Sequence, residues 1–131
     1  MKNYEAILIT QPDDSRSLNV NASIEQLKRG ELSAQQSLLG CKLIQFLDVQ
    51  LDGQMYTLMS DEDWLANNSD KEFAQGLSVV DDHGVEHKIL GHLLIAKTNN
   101  DTSEFEESLG MHVGLARYFI CCHFKSITFN G

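Results

Sequence analysis

KLIQFLDVQLDGQMYTLM, residues 42–59, sets Asp52-Gly53 between two alternating apolar runs. Leu43, Leu47, Val49 and Leu51 fall on one side of the first run, and Ile44 and Phe46 fall on the other. An Asp-Gly pair accepts the positive φ angles of a type I′ turn, so this stretch predicts a tight β-hairpin. A hairpin in mid-chain, with helical signals on either side, points to an α+β protein rather than a bundle.

Working outward, YEAILIT (4–10) alternates and predicts a strand that ends before Pro12, with LNV (18–20) pairing back onto it. Ser23 and Gln26 have the spacing of a capping box, which predicts a helix from about residue 23, broken at Gly30. A further turn or two, from Ser33 to Leu39, ends at Gly40, a residue suited to a left-handed C-cap. Beyond the hairpin, Ser60 and Asp63 predict a capped helical start over DEDWLANN, with a loop at Asn67–Asp70 and one more turn in SDKEFAQGL. LSVV (77–80) and VEHKIL (85–90) form the arms of a second hairpin about the turn at Gly84.

Ser103 and Glu106 predict a short acidic helix over Glu104–Leu109, ending at Gly110. In the C-terminal segment 112–129 the apolar spacing fits a helix, but Gly114 interrupts it and residues 118–129 are rich in aromatic and β-branched side chains, so a buried strand is expected. The whole is read as a single α+β domain over residues 1–131: an antiparallel or mixed sheet of five to seven strands with two to four short helices on one face.

The formal net charge of −9 is uneven. Residues 60–107 hold twelve acids and three bases, whereas residues 108–131 hold only Arg117 and Lys125 as charged groups. Such a surface repels a phosphate backbone, so direct nucleic-acid binding is not expected. No apolar run is long enough to span a bilayer, and the N-terminus turns polar early, so neither membrane insertion nor export is expected. Three cysteines, Cys41 and the adjacent Cys121 and Cys122, do not make a disulfide framework; a reducing cytoplasm is the expected setting.

Candidate chemistry centres on two stretches. DDHGVEHKILGHLL (81–94) carries His83, His87 and His92, the candidate metal ligands. In a helix His92 would oppose the other two; in a strand His87 and His92 face opposite ways unless Gly91 makes a bulge. An ion held here would take His83 with Asp81 or Asp82. The other stretch is Asp61, Glu62, Asp63 and Trp64, the candidate interaction residues: acids suit a helix start, and a lone tryptophan is either a contact point or, as expected here, a buried staple.

Cys121 and Cys122 are expected in the core, since free cysteines are among the most buried residues, and Cys122 and His123 as strand neighbours would diverge. Phosphate-loop, dinucleotide and nucleophile-elbow motifs are absent, so no catalytic residue and no cofactor is assigned.

Ser23-Ile24-Glu25-Gln26-Leu27, a helix ending at Gly40, the acidic Asp61-Glu62, Asn67 or Asn68, and Ile89-Leu90-Gly91-His92-Leu93-Leu94-Ile95 together resemble an uncharacterised family of short phage and plasmid domains over about residues 23–96. The chain has Gly40-Cys41 where that family usually carries a double glycine. The resemblance implies a small accessory protein of a mobile genetic element and carries over no catalytic residue.

The expected function is therefore a non-enzymatic binding or interaction module. It is expected to be a homodimer through a sheet edge, with a protein partner meeting the acidic block 60–107. Three rivals are distinguishable. A DNA-mimicking inhibitor needs its acids along one stripe, a small-ligand sponge needs a concave pocket at a dimer interface, and a metal-assisted hydrolase needs the three histidines around one ion.

Overall fold

In a computed structural model, which describes residues 3–10, 21–64 and 73–130, Asp52 and Gly53 have φ of 52° and 79°, the double positive φ of a type I′ turn. They join β3 (Ile44–Leu51) to β4 (Gln54–Asp61) in continuous antiparallel register from Leu51↔Gln54 to Ile44↔Asp61. The remaining strands are β1 (Asn3–Thr10), β2 (Asn21–Lys28), β5 (Phe73–Val80), β6 (Glu86–Leu90), β7 (Leu93–Lys97) and β8 (Phe124–Asn130), with helices α1 (Leu32–Leu39) and α2 (Val113–His123).

The α+β class holds, and every strand pairing is antiparallel. Eight strands divide between a five-stranded sheet, ordered β2-β1-β7-β4-β3, and a three-stranded sheet, ordered β6-β5-β8.

Alternation along the five-stranded sheet feeds two cores. Ile7, Ile9, Leu58, Leu93 and Ile95 face the smaller sheet, where they meet Leu77, Val79, Ile89 and Phe124 together with Ala116 and Ile120 of α2. Their strand neighbours Tyr4, Ala6, Leu8, Met59, Leu94 and Ala96 face the other way and are covered by Leu39 of α1 and by Phe105. The two helices thus pack on opposite faces of the larger sheet. Central strands sealed on both faces become unbroken apolar runs, as in Leu93–Ala96, and each such aliphatic side chain contributes about 1.5–3 kcal/mol. Among the buried polar residues, Gln35 is satisfied: its Nε2 donates to Tyr4 Oη at 2.6 Å, and burial pushes the Tyr4 phenol up from its ordinary value.

Several expectations are corrected. The segment that carries the Ser23 capping signal is strand β2, because Ile24 pairs with Ile7 and Leu27 with Tyr4, so its alternate residues feed both cores. Only α1, ending at Gly40 with φ 66°, keeps the helical reading of residues 23–39. Ser60 and Asp61 close β4, and the helical start expected over DEDWLANN comes at Trp64, directly after Asp63. Strand β5 occupies Phe73–Val80, where a helical turn is expected over the start of that run. The pairing of residues 18–20, the body of DEDWLANN beyond Trp64 and the Asn67–Asp70 loop lie outside the described residues.

No helix forms over Glu104–Leu109. Ser103 has φ 63°, Phe105 bridges Thr98, and Glu106 N–H donates to Lys97 O, so the chain continues beside β7. The C-terminal segment is helix first and strand second, with α2 running to His123 before β8 begins. Gly114 does not break that helix. His112 is its N-cap, with Nδ1 accepting from the N–H groups of Gly114 and Leu115, and a Cβ on Gly114 would lie 3.0 Å from the imidazole. Nor are Cys121 and Cys122 core residues: on a helix instead of a strand, both are exposed.

Candidate functional site

The histidine stretch folds as the second hairpin, β5 to β6, pairing Val80↔Glu86 through Gly76↔Leu90. Its acids serve as caps. Asp81 Oδ1 accepts from the N–H groups of His83 and Val85, and Oδ2 lies 2.9 Å from His87 Nε2. Those bonds, His87 foremost, hold the Asp81 carboxyl below its ordinary value.

Asp82 reaches across to the other hairpin, accepting from Asp52 N at 2.9 Å and Gly53 N at 2.8 Å. His83 is exposed on the turn, His87 is held by Asp81, and His92 is half-buried between β6 and β7. Among the described residues no group of three or more His, Cys, Asp or Glu side chains is placed to hold a metal ion.

The candidate interaction residues, in contrast, come together. An open cleft of about 400 Å3 lies between the β3–β4 hairpin and β6. Leu47, Leu58, Ile89 and Leu90 form its aliphatic walls. Asp61, Glu62, Asp63 and Trp64 stand along its rim, with Gln45 and Lys88 opposite. Local structure fixes the rim: Glu62 N–H donates to Leu43 O, and Asp61 Oδ1 accepts from Asp63 N, turning three consecutive carboxylates around the end of β4.

Trp64 is half-buried rather than a buried staple, and it lies over Gly91, where a Cβ would come within 2.2 Å of the indole. Gly91 has φ 80°, so one residue supplies both the turn into β7 and the bed for the ring.

Ser60 was not singled out by its sequence, yet it is 7% exposed, lies on the same side of β4 as Leu58 and lines the cleft. Its hydroxyl makes no side-chain hydrogen bond among the described residues. The available signal was its place in the alternation Tyr56, Leu58, Ser60: a polar residue where the core face calls for an apolar one.

No family model, curated protein or solved structure matches the chain. The site is therefore read from its own chemistry. A hydroxyl that lines an open cleft offers a hydrogen bond to whatever enters it. Carboxylates beside an indole favour a cation. Lys88 lines the same cleft, lies 3.8 Å from Glu86 and has a further interaction, so it offsets part of that field from within the chain.

Among the described residues no imidazole lines the cleft. The Cys41 thiol, near Asp61, is pushed up by burial and then by that carboxylate, the reverse of activation. The acids are spread over separate places. Asp61–Asp63 stand at one end of β4 and Asp52 and Asp82 at the other, roughly 23 Å away at strand rise, while Glu104, Glu106 and Glu107 surround a different hollow.

A second hollow, between Arg29 and residues 99–108, is polar, and its guanidinium already donates to Phe105 O. No helix among the described residues is long and apolar enough to cross a membrane.

Proposed function

We propose that the chain is a non-enzymatic interaction module, an accessory protein of a mobile genetic element, that holds a cationic side chain of a protein partner in the cleft between its sheets. The single observation that carries this reading is the convergence on one cleft of aliphatic walls, the unbonded Ser60 hydroxyl, Trp64 and three consecutive carboxylates. A lysine or arginine side chain matches each part: its methylene stem lies on the leucines, its head group meets the indole face and the acids, and an N–H reaches Ser60 Oγ.

The spread of the acids over separate places weighs against imitation of a continuous phosphate backbone. The dispersal of His83, His87 and His92 weighs against metal-assisted hydrolysis.

The chain has one tryptophan, so its emission reports on this cleft directly. Butylguanidinium should shift Trp64 emission saturably, with a Kd of roughly millimolar as suits a ligand of few atoms, and the response should weaken with salt. Butanol should not reproduce it, and the triple variant Asp61→Asn, Glu62→Gln, Asp63→Asn should abolish it. Equal responses to butanol and butylguanidinium, or none to either, would sink the proposal.

A further inference from the structure

We infer that the cleft receives its cation from an extended segment of a partner protein that joins the five-stranded sheet as a sixth strand along β3. The inference rests on the cleft reading above and names how the partner is held. Strand β3 is an outer strand of its sheet. Gln50 O accepts a hydrogen bond from Asp82 N at 2.8 Å, which shows that the backbone groups of Gln50 point away from β4. By the two-residue period of a strand, those of Asp48, Phe46 and Ile44 do the same. Leu43 belongs to the other set, which faces β4, and its carbonyl accepts from Glu62 N as one more rung of the hairpin ladder. Short of the Gln50 latch, the outward amides and carbonyls of Ile44, Phe46 and Asp48 have no partner among the described residues.

This edge also lacks the usual protection. Strand IQFLDVQL has no lysine, no proline and no bulge across eight paired residues, and Asp48 is its single charge, whereas the outer strand β2 carries Glu25 and Lys28, and β6 is five residues long with Glu86 and Lys88. Two large apolar side chains are left in solvent here, Leu43 at 54% and Phe46 at 52% exposure.

Gln45 and Leu47 of the same strand line the cleft. A strand laid beside β3 would therefore send one alternate set of side chains to the cleft and the other set to Phe46. Charge selects the occupant. A second copy would bring no basic residue in its own β3, and it would oppose Asp61–Asp63 and a net −9 with the same. The fitting occupant is an extended segment with a basic residue in one alternate set and apolar residues in the other.

The test uses the full chain, a blocked hexapeptide of alternating threonine and valine with one central arginine, and two versions of it N-methylated on opposite alternate sets of amides. The parent peptide should bind more tightly than butylguanidinium and should slow amide exchange at Phe46 and Asp48. One methylated version should bind at least about tenfold more weakly, having lost its backbone donors, while the other matches the parent. If both versions match the parent while butylguanidinium still shifts Trp64, strand addition is overturned and the cation cleft stands. If neither peptide nor butylguanidinium binds, both readings fall. Protection of Phe46 and Asp48 that needs no peptide and grows with protein concentration would make a second copy the occupant and overturn the inference.

Discussion

The Asp82 carboxylate accepts the N–H of Gly53 at 2.8 Å, so the turn of one hairpin is capped by the turn of the other. With the companion bond from Asp52 N, this is a direct polar link between the two sheets. Asp82→Ala should lower stability by about 1 kcal/mol, the worth of charge-assisted bonds at an exposed site. Urea unfolding would record this as a lower midpoint at unchanged slope, and an unaltered midpoint would refute it.

Acid should act through the neighbouring residue. The Asp81 carboxyl sits below its ordinary value because His87 and the amides of Val85 and His83 bond to its charged form. A carboxyl depressed in the folded state stabilises the protein above the value it has when unfolded, and that contribution is lost as pH falls through the lower folded value. The urea midpoint of the wild type should therefore drop further than that of Asp81→Asn between neutral pH and the region below the ordinary carboxylate range. Parallel pH curves for the two proteins would contradict this.

Gly91→Ala should disturb the cleft from behind. Alanine at φ 80° is strained, and its methyl carbon would lie 2.2 Å from the Trp64 ring, which must move. A loss of about 1–3 kcal/mol together with red-shifted Trp64 emission is expected, read by thermal unfolding and by fluorescence.

At the start of α2 the cap is an imidazole. His112→Ala should cost about 1 kcal/mol, whereas His112→Asn, which restores a good capping acceptor, should recover most of it. Equal stability of the two variants would show that the two bonds to His112 contribute nothing.

Thiol reactivity should divide two to one. Cys121 and Cys122 are exposed on α2, while Cys41 is partly covered and its thiol is pushed up. Brief maleimide treatment of the native protein, followed by mass spectrometry, should find two adducts at Cys121 and Cys122 and a slower third at Cys41.

What the sequence disclosed follows the reach of each signal. Asp52-Gly53 and Gly40 specify backbone angles by themselves, so the first hairpin and the end of α1 were legible. The Ser23 and Ser103 capping boxes misled because the same residues had long-range partners: Ile24 pairs with Ile7, and Phe105 meets Thr98. A cap contributes about 1 kcal/mol, which sheet pairing and burial easily outweigh.

Helix α2 was missed for the opposite reason. Its cap is His112, outside the usual set of Ser, Thr, Asp and Asn, and Gly114, read as a breaker, is the space the imidazole occupies. The rim of the cleft, Asp61 to Trp64, was visible as composition. Ser60 and the β6 wall were not, because only the stacking of two sheets brings Ile89 and Leu90 opposite Leu47 and Leu58.

The position of β1 carries a cost in time. Its inner neighbour is β7, so that Ala6 lies across from Ala96 and Ile9 from Leu93. While the chain emerges from a ribosome, β1 can zip onto β2 at once, but its other side stays bare until Leu93–Ala96 have been made. Contacts between such distant positions slow assembly and prolong the interval in which a hydrophobic ribbon is open to the wrong mate. This small protein should consequently be a slow folder, most vulnerable to clumping while it is being born.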